Sequence, residues 1–181
     1  MWKILFLGLL GAIAAVLVIA ARRPDRFRLQ RSIQVRAAPE AVYALIEDFH
    51  RWTQWSPWEH RDPAMQRSYE GPQAGVGAVY GWNGAKVGQG RMEILEAVPG
   101  ARVRIKLDFL RPMQARNTAE FTLDARDGGT FVTWAMEGPQ PFMAKVVSVF
   151  MDMERMVGPD FETGLANLQA AAERGALAAP A

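Results

Sequence analysis

Pro99-Gly100-Ala101-Arg102-Val103-Arg104-Ile105-Lys106-Leu107-Asp108-Phe109 is a turn followed by a strand with two unlike faces. Pro99 and Gly100 suit the two central positions of a type II turn, where proline fixes φ and glycine takes the positive value. Val103, Ile105, Leu107 and Phe109 then alternate with Arg102, Arg104, Lys106 and Asp108, so one face is apolar and the other charged. On the N-terminal side, Asn83-Gly84 divides a segment carrying Ala78, Tyr80 and Trp82 from one carrying Gly88, Gly90, Met92 and Ile94, which predicts a hairpin. On the C-terminal side, Ala119, Phe121 and Leu123 repeat the alternation, and Asp127-Gly128-Gly129 turns the chain into a last strand with Val132, Trp134 and Met136. Consecutive hairpins of this kind predict an antiparallel meander of five or six strands with one solvated face.

The flanks supply what covers the other face. Phe27, Leu29, Ile33 and Val35 define an earlier strand in which Arg31 alone breaks the apolar side. Pro39 and Glu40 open a helix with a buried stripe of Val42, Leu45, Ile46 and Phe49, and a short second helix carries Trp52 and Trp55 and ends at Ser56-Pro57. After the meander, Phe142 to Val157 reads as a helix that Gly158-Pro159 breaks or kinks. Phe161, Leu165, Leu168 and Ala172 then form an apolar stripe up to a C-cap at Gly175. A twisted sheet with one apolar face must cover it, and the terminal helix is the only long amphipathic element available. The expected class is α+β, with a curved antiparallel sheet wrapped around the C-terminal helix.

Ahead of this domain, Ile4 to Ala21 is an unbroken run of 18 apolar or small residues. As a helix it measures about 27 Å, close to the roughly 30 Å of a bilayer core. Five arginines follow within ten residues (Arg22, Arg23, Arg26, Arg28 and Arg31), which predicts a single transmembrane helix with the domain on the cytoplasmic side. The competing reading is a signal peptide cleaved after Val18-Ile19-Ala20. The expected division is a membrane anchor with basic flank over 1–23, a folded domain over 24–175 and a disordered tail over 176–181. Composition removes several functions. The sequence has no cysteine and two histidines, which excludes thiolate chemistry and argues against a metal site or a metal cofactor. From Ser32 onward 15 basic residues face 18 acidic ones, so the domain lacks the positive face that nucleic acid requires. Oligomeric state is not legible.

Several segments together resemble the START-like, or polyketide cyclase/dehydratase and lipid-transport (SRPBCC), superfamily. They are Ala38 to Phe49 followed by Trp52 and Trp55, Tyr80-Gly81-Trp82-Asn83-Gly84, Gly129 to Trp134, and Phe161-Glu162-Thr163-Gly164-Leu165. The resemblance spans roughly Phe27 to Arg174 and implies a helix-grip fold with a cavity between sheet and terminal helix. It also implies a hydrophobic ligand or lipid, since the superfamily includes lipid carriers, hormone receptors, cyclases and chaperone-ATPase activators.

Strand parity points Tyr80, Trp82, Met92, Phe109, Phe121, Trp134 and Met136 into that space, and helical spacing adds Phe161 and Leu165. Gly88 and Gly90 share the face and leave room for a ligand or for close helix packing. Glu96 and Glu137 adjoin the strand interiors as candidate polar anchors or, in an enzyme, as a perturbed acid or base. His50 and His60, near Glu47, Asp48, Glu59 and Asp62, are candidates for acid–base work, though acids in such loops are usually solvated. Met143, Met151, Met153 and Met156 suit core or ligand surface alike, and Trp52, Trp55 and Trp58 either wall a cavity or pack beneath the first helix. The expected function is a membrane-anchored, non-catalytic binding module for a hydrophobic small molecule or lipid. The alternative is a cyclase- or dehydratase-type enzyme using the same cavity.

Overall fold

The computed structural model describes residues 2–126 and 128–178. Helix α1 (Trp2–Ala21) precedes strand β1 (Arg26–Val35), helix α2 (Pro39–Ile46), a 3-10 turn (Phe49–Gln54) and the short helix α3 (Pro57–Arg61). A six-strand meander follows: β2 (Gln66–Glu70), β3 (Val79–Gly84), β4 (Gly88–Val98), β5 (Arg102–Arg111), β6 (Ala115–Arg126) and β7 (Gly129–Pro139). Helices α4 (Phe142–Phe150) and α5 (Met153–Ala178) close the chain. All seven strands form one antiparallel sheet in the order β1-β7-β6-β5-β4-β3-β2. This is the α+β helix-grip architecture, with the long α5 packed against the sheet.

The core sits between the concave sheet face and α2, the 3-10 turn and α5. Val103, Ile105, Phe121, Val132 and Trp134 come from the sheet, Val42 and Ile46 from α2, and Phe161, Leu165 and Leu168 from α5. The rings are interlocked: Trp134 stacks between Phe121 at 4.9 Å and Phe161 at 4.1 Å, and Trp55 meets both Phe121 and Trp134 edge-on. Gly164 on α5 admits this stack, since a Cβ there would lie 2.8 Å from the Trp134 ring. Arg31 leaves the apolar face of β1 to donate to Glu162 at 2.8 Å and Glu154 at 3.0 Å, and so ties the edge strand to α5.

Local details depart from the sequence reading for identifiable reasons. The β3–β4 turn is not at Asn83-Gly84, because Gly84 still pairs with Gly88. The loop is the three residues 85–87, closed by Gly88 at φ +71°, the left-handed position such loops need. The expected break at Gly158-Pro159 falls earlier, between α4 and α5, where the Asp152 carboxylate accepts from the Glu154 amide at 2.9 Å as a helix cap; Pro159 is carried inside α5. Gly175 does not cap. It keeps a negative φ, and α5 runs on through Ala176 and Leu177, both good helix formers. Trp55 ends a 3-10 turn instead of an α-helix, and Pro57 opens α3 instead of only stopping what precedes it. Pro99-Gly100 turns as expected, with the Ala101 amide donating to Val98 O at 3.0 Å and Gly100 at φ +64°. Asp127 and residues 179–181 of the expected tail lie outside the described residues.

Three carboxylates titrate below their ordinary values. The Lys145 ammonium lowers Asp25 by hydrogen bond and charge. Burial pushes Asp108 up, but hydrogen bonds from Lys106 and Arg116 outweigh it and leave it low. The Arg36 backbone N–H, with Gln169, lowers Glu173. A carboxylate depressed in the folded state contributes stability above its unfolded pKa of about 4, and that contribution is lost as pH falls through the native value. The urea midpoint is therefore expected to be lower at pH 3 than at pH 7; an unchanged midpoint would show that these pairs contribute nothing.

Candidate functional site

At one end of the strands, the loop 71–78 between β2 and β3 folds toward the 3-10 turn. Its Gly75 amide donates to Glu47 O at 3.1 Å, and Gly77 at φ +87° lets the chain rejoin β4 through Ile94 O. Between loop and turn lies an open pocket of about 480 Å³, walled by Phe49, His50, Tyr69, Gln73 and Val79 among others. The His50 imidazole stacks on Tyr69 at 4.0 Å, and its Nδ1 lies 3.0 Å from Asp48 Oδ1. From Tyr69 a row of rings leads along the concave face: Tyr80 at 5.4 Å, then Trp82 at 6.1 Å, then Phe109 at 5.9 Å.

Close to the pocket sits a buried carboxylate, Glu59, which the sequence places near the histidines and expects to be solvated. Glu59 on α3 accepts from the Tyr80 hydroxyl at 2.6 Å and from Arg67 Nε at 2.7 Å. Burial, then the hydrogen bond to Glu59, pushes the Tyr80 phenol far above its ordinary value, so it stays a proton donor. The acids around the histidines are not solvated as expected. Asp48 and Asp62 are buried as well, Asp48 because it caps the 3-10 turn through the His50 amide and Asp62 because it receives the Lys86 amide. His60 is exposed.

Among the candidate lining residues, Tyr80, Met92, Phe121, Trp134, Met136, Phe161 and Leu165 are buried on the inner side of the sheet or on α5, while Trp82 and Phe109 are half-buried at its margin. Gly90 leaves no open space. It pairs with Trp82, whose indole lies across it so closely that a Cβ would collide with the ring. Gly88 is likewise accounted for by backbone, since a Cβ there would collide with Arg111 O. Glu96 and Glu137 do not face inward. A bulge between Ile94 and Glu96 resets parity, so Glu96 pairs opposite Arg104 on the outer face and meets Arg102. Glu137 follows inward Met136 and therefore points outward, to Arg26 and Arg28. Trp52 and Trp55 are core residues that donate to Ile46 O and Leu45 O, and Trp58 is half-buried, edge-on to Trp134 and Phe161. The cluster Met143, Met151, Met153 and Met156 is exposed and belongs to neither core nor site. Among the described residues, the Trp134 Nε1–H is the one buried side-chain polar group with no partner, and no three His, Asp or Glu side chains converge as metal ligands.

The fold has many solved counterparts. Protein CV1439 from Chromobacterium violaceum shares 22% identity over 83% of this chain and 99% of its own, with a TM-score of 0.58. The Aha1 protein of Colwellia psychrerythraea, solved as a dimer, shares 17% over 81% and 96%, with a TM-score of 0.59. The di-domain ARO/CYC protein StfQ of the steffimycin biosynthetic pathway shares 14% over 86% of this chain and 53% of that one, with a TM-score of 0.64. At these identities the likeness establishes fold alone. No curated protein matches the chain. The sequence itself matches a family description over residues 26–173, nearly the whole of the sheet and its helices, and on that ground the chain belongs to the polyketide cyclase / dehydrase and lipid transport family.

Proposed function

We propose that this protein is a non-catalytic binding module for a hydrophobic small molecule or lipid, tethered by α1 to the cytoplasmic face of a membrane. The observation that carries the reading is the Trp134 Nε1–H, a buried donor without a partner, set between the rings of Phe121 and Phe161. An unmade buried hydrogen bond costs roughly 1–3 kcal/mol, which a ligand carrying one acceptor would recover. The ligand enters past Phe49 and Tyr69 and follows the ring row Tyr80, Trp82 and Phe109, with Met92 beneath it. Because the interior is packed, uptake displaces half-buried Trp82 and Phe109 instead of filling a void. Phe121, Met136, Phe161 and Leu165 form the inner wall. Burial of apolar ligand surface supplies the affinity, at about 25 cal/mol per Å². Both Glu59 oxygens are engaged within the protein, by Arg67 and by Tyr80.

Trp134→Phe tests this directly. The substitution keeps the ring stack and removes the donor. Affinity for a fluorescent fatty acid such as cis-parinaric acid is expected to fall roughly 5- to 150-fold, the equivalent of the 1–3 kcal/mol recovered at the donor. Stability should change by less than about 1 kcal/mol, because lost ring volume is offset by removal of an unpaired group. Unchanged affinity would place Trp134 outside the site.

The catalytic alternative has one observation of its own. His50, oriented by Asp48 and set in the pocket wall, has the arrangement of a base held by a carboxylate. Conversion of a bound ligand that is abolished by His50→Gln, with binding retained, would favour an enzyme.

A further inference from the structure

Helix α4 is buried inside out. Its one charged residue, Lys145, is 7% exposed, while Phe142, Met143, Val147 and Phe150 are 47 to 74% exposed. A helix at a water-facing surface turns its lysine outward and its Phe and Val inward. The reverse arrangement means that the medium outside α4 is apolar. The run from Gly138 to Met151 contains no acid, and exposed Met151 extends the patch.

The position of α4 identifies that medium. Among the described residues, α1 is the one helix long and apolar enough to cross a membrane, and it is exposed along almost its whole length. α1 packs on α4, and Ala20, near its end, is its one fully buried residue; just beyond α1, Arg23 donates to Ser148 Oγ at 3.0 Å and Asp25 pairs with Lys145, both partners lying on α4. The exposed face of α4 therefore adjoins the place where the apolar run ends and Arg22, Arg23, Arg26 and Arg28 begin. An apolar stripe bordered by arginines fits an anionic bilayer surface, into whose headgroup boundary such a helix sinks about 5–10 Å. A covering protein helix would need no such cationic border. The strand register adds a consequence. α4 follows the end of β7 that pairs with the start of β1, whereas the pocket lies at the opposite strand ends, where β2 finishes and β3 begins.

We propose that α4 is a second membrane contact, an interfacial helix that docks the domain on the bilayer with its pocket turned away from the lipid surface. The inference rests on the tether reading of α1, and its test separates the two. Because the chain has no native cysteine, single cysteines can be introduced and labelled cleanly. Leu10→Cys, Met143→Cys, Phe150→Cys and Val76→Cys are each labelled with an environment-sensitive nitrobenzoxadiazole in the full chain. The labelled chains are reconstituted into vesicles of phosphatidylethanolamine and phosphatidylglycerol. All four are exposed positions, so the label displaces no core residue, and circular dichroism of each labelled chain verifies the fold.

Labels at 143 and 150 are expected to be quenched by doxyl-lipid several-fold more than the label at 76, and by aqueous iodide several-fold less. If the label at 10 is quenched by lipid while those at 143 and 150 behave like the one at 76, the tether stands and the docking proposal is overturned. Labels at 143 and 150 shielded from both quenchers would overturn it in favour of a protein partner or a second copy. If the label at 10 escapes doxyl-lipid, α1 is not inserted and both readings fail.

Discussion

Arg67→Ala is expected to destabilise the domain by about 3 kcal/mol, the lower end of the cost of breaking a buried ion pair. Arg67 is itself a quarter exposed, so its own charge is partly screened and contributes little alone. The larger cost falls on Glu59, which is buried and keeps only the Tyr80 hydroxyl once the guanidinium is gone. Arg67 also donates to Met65 O at 2.9 Å, holding the start of β2 beneath α3. Adding Glu59→Gln to the same chain removes the stranded charge while leaving an acceptor for Tyr80, and most of the loss should return. Urea denaturation of the single and double variants measures both steps. A single-variant loss below about 1 kcal/mol would mean that the pair is solvated in solution.

Trp55→Ala carries the largest expected loss, about 3–5 kcal/mol. The side chain is fully buried, meets Trp52, Phe121 and Trp134 within 4.6 to 5.9 Å between ring centres, and donates Nε1–H to Leu45 O at 3.0 Å. Its removal opens a cavity at the junction of α2, the sheet and α5. Domains of this size typically have 5–15 kcal/mol in total, so the variant should melt well below the parent and lose near-ultraviolet dichroism before far-ultraviolet. Half-buried Trp58, substituted in the same way, should cost clearly less. Equal losses for the two would contradict the packing order described here.

The sheet was legible because its strands alternate: Val103, Ile105 and Leu107, or Phe121 and Leu123, lie inside as their spacing says. Parity failed where a single extra residue entered, at the bulge that turns Glu96 outward, and nothing in the side-chain pattern marks that residue. The Asn83-Gly84 signal was overridden because Gly88 supplies the left-handed position, and because the Asp62 carboxylate approaches Gly84 so closely that a Cβ there would lie 2.5 Å from it. The Asp152 cap was present in the sequence, but the stronger Gly158-Pro159 signal hid it. The site was harder. Glu59, Arg67 and Tyr80 come from three different elements, and the pocket wall joins the 3-10 turn to a loop some twenty residues away, so only tertiary folding assembles them. The exposed face of α4 was equally hidden, since a Val- and Phe-rich helix reads as core until its burial is known.

Native mass spectrometry of the full-length chain, released from host membranes in detergent, tests the binding reading most directly. The expected spectrum contains the chain plus one non-covalently held hydrophobic molecule. That adduct is displaced by added fatty acid, keeps its mass on prolonged incubation and is diminished in Trp134→Phe. A chain that never carries such a molecule, even with fatty acid added, would contradict binding; a bound molecule whose mass changes with time would contradict the absence of catalysis.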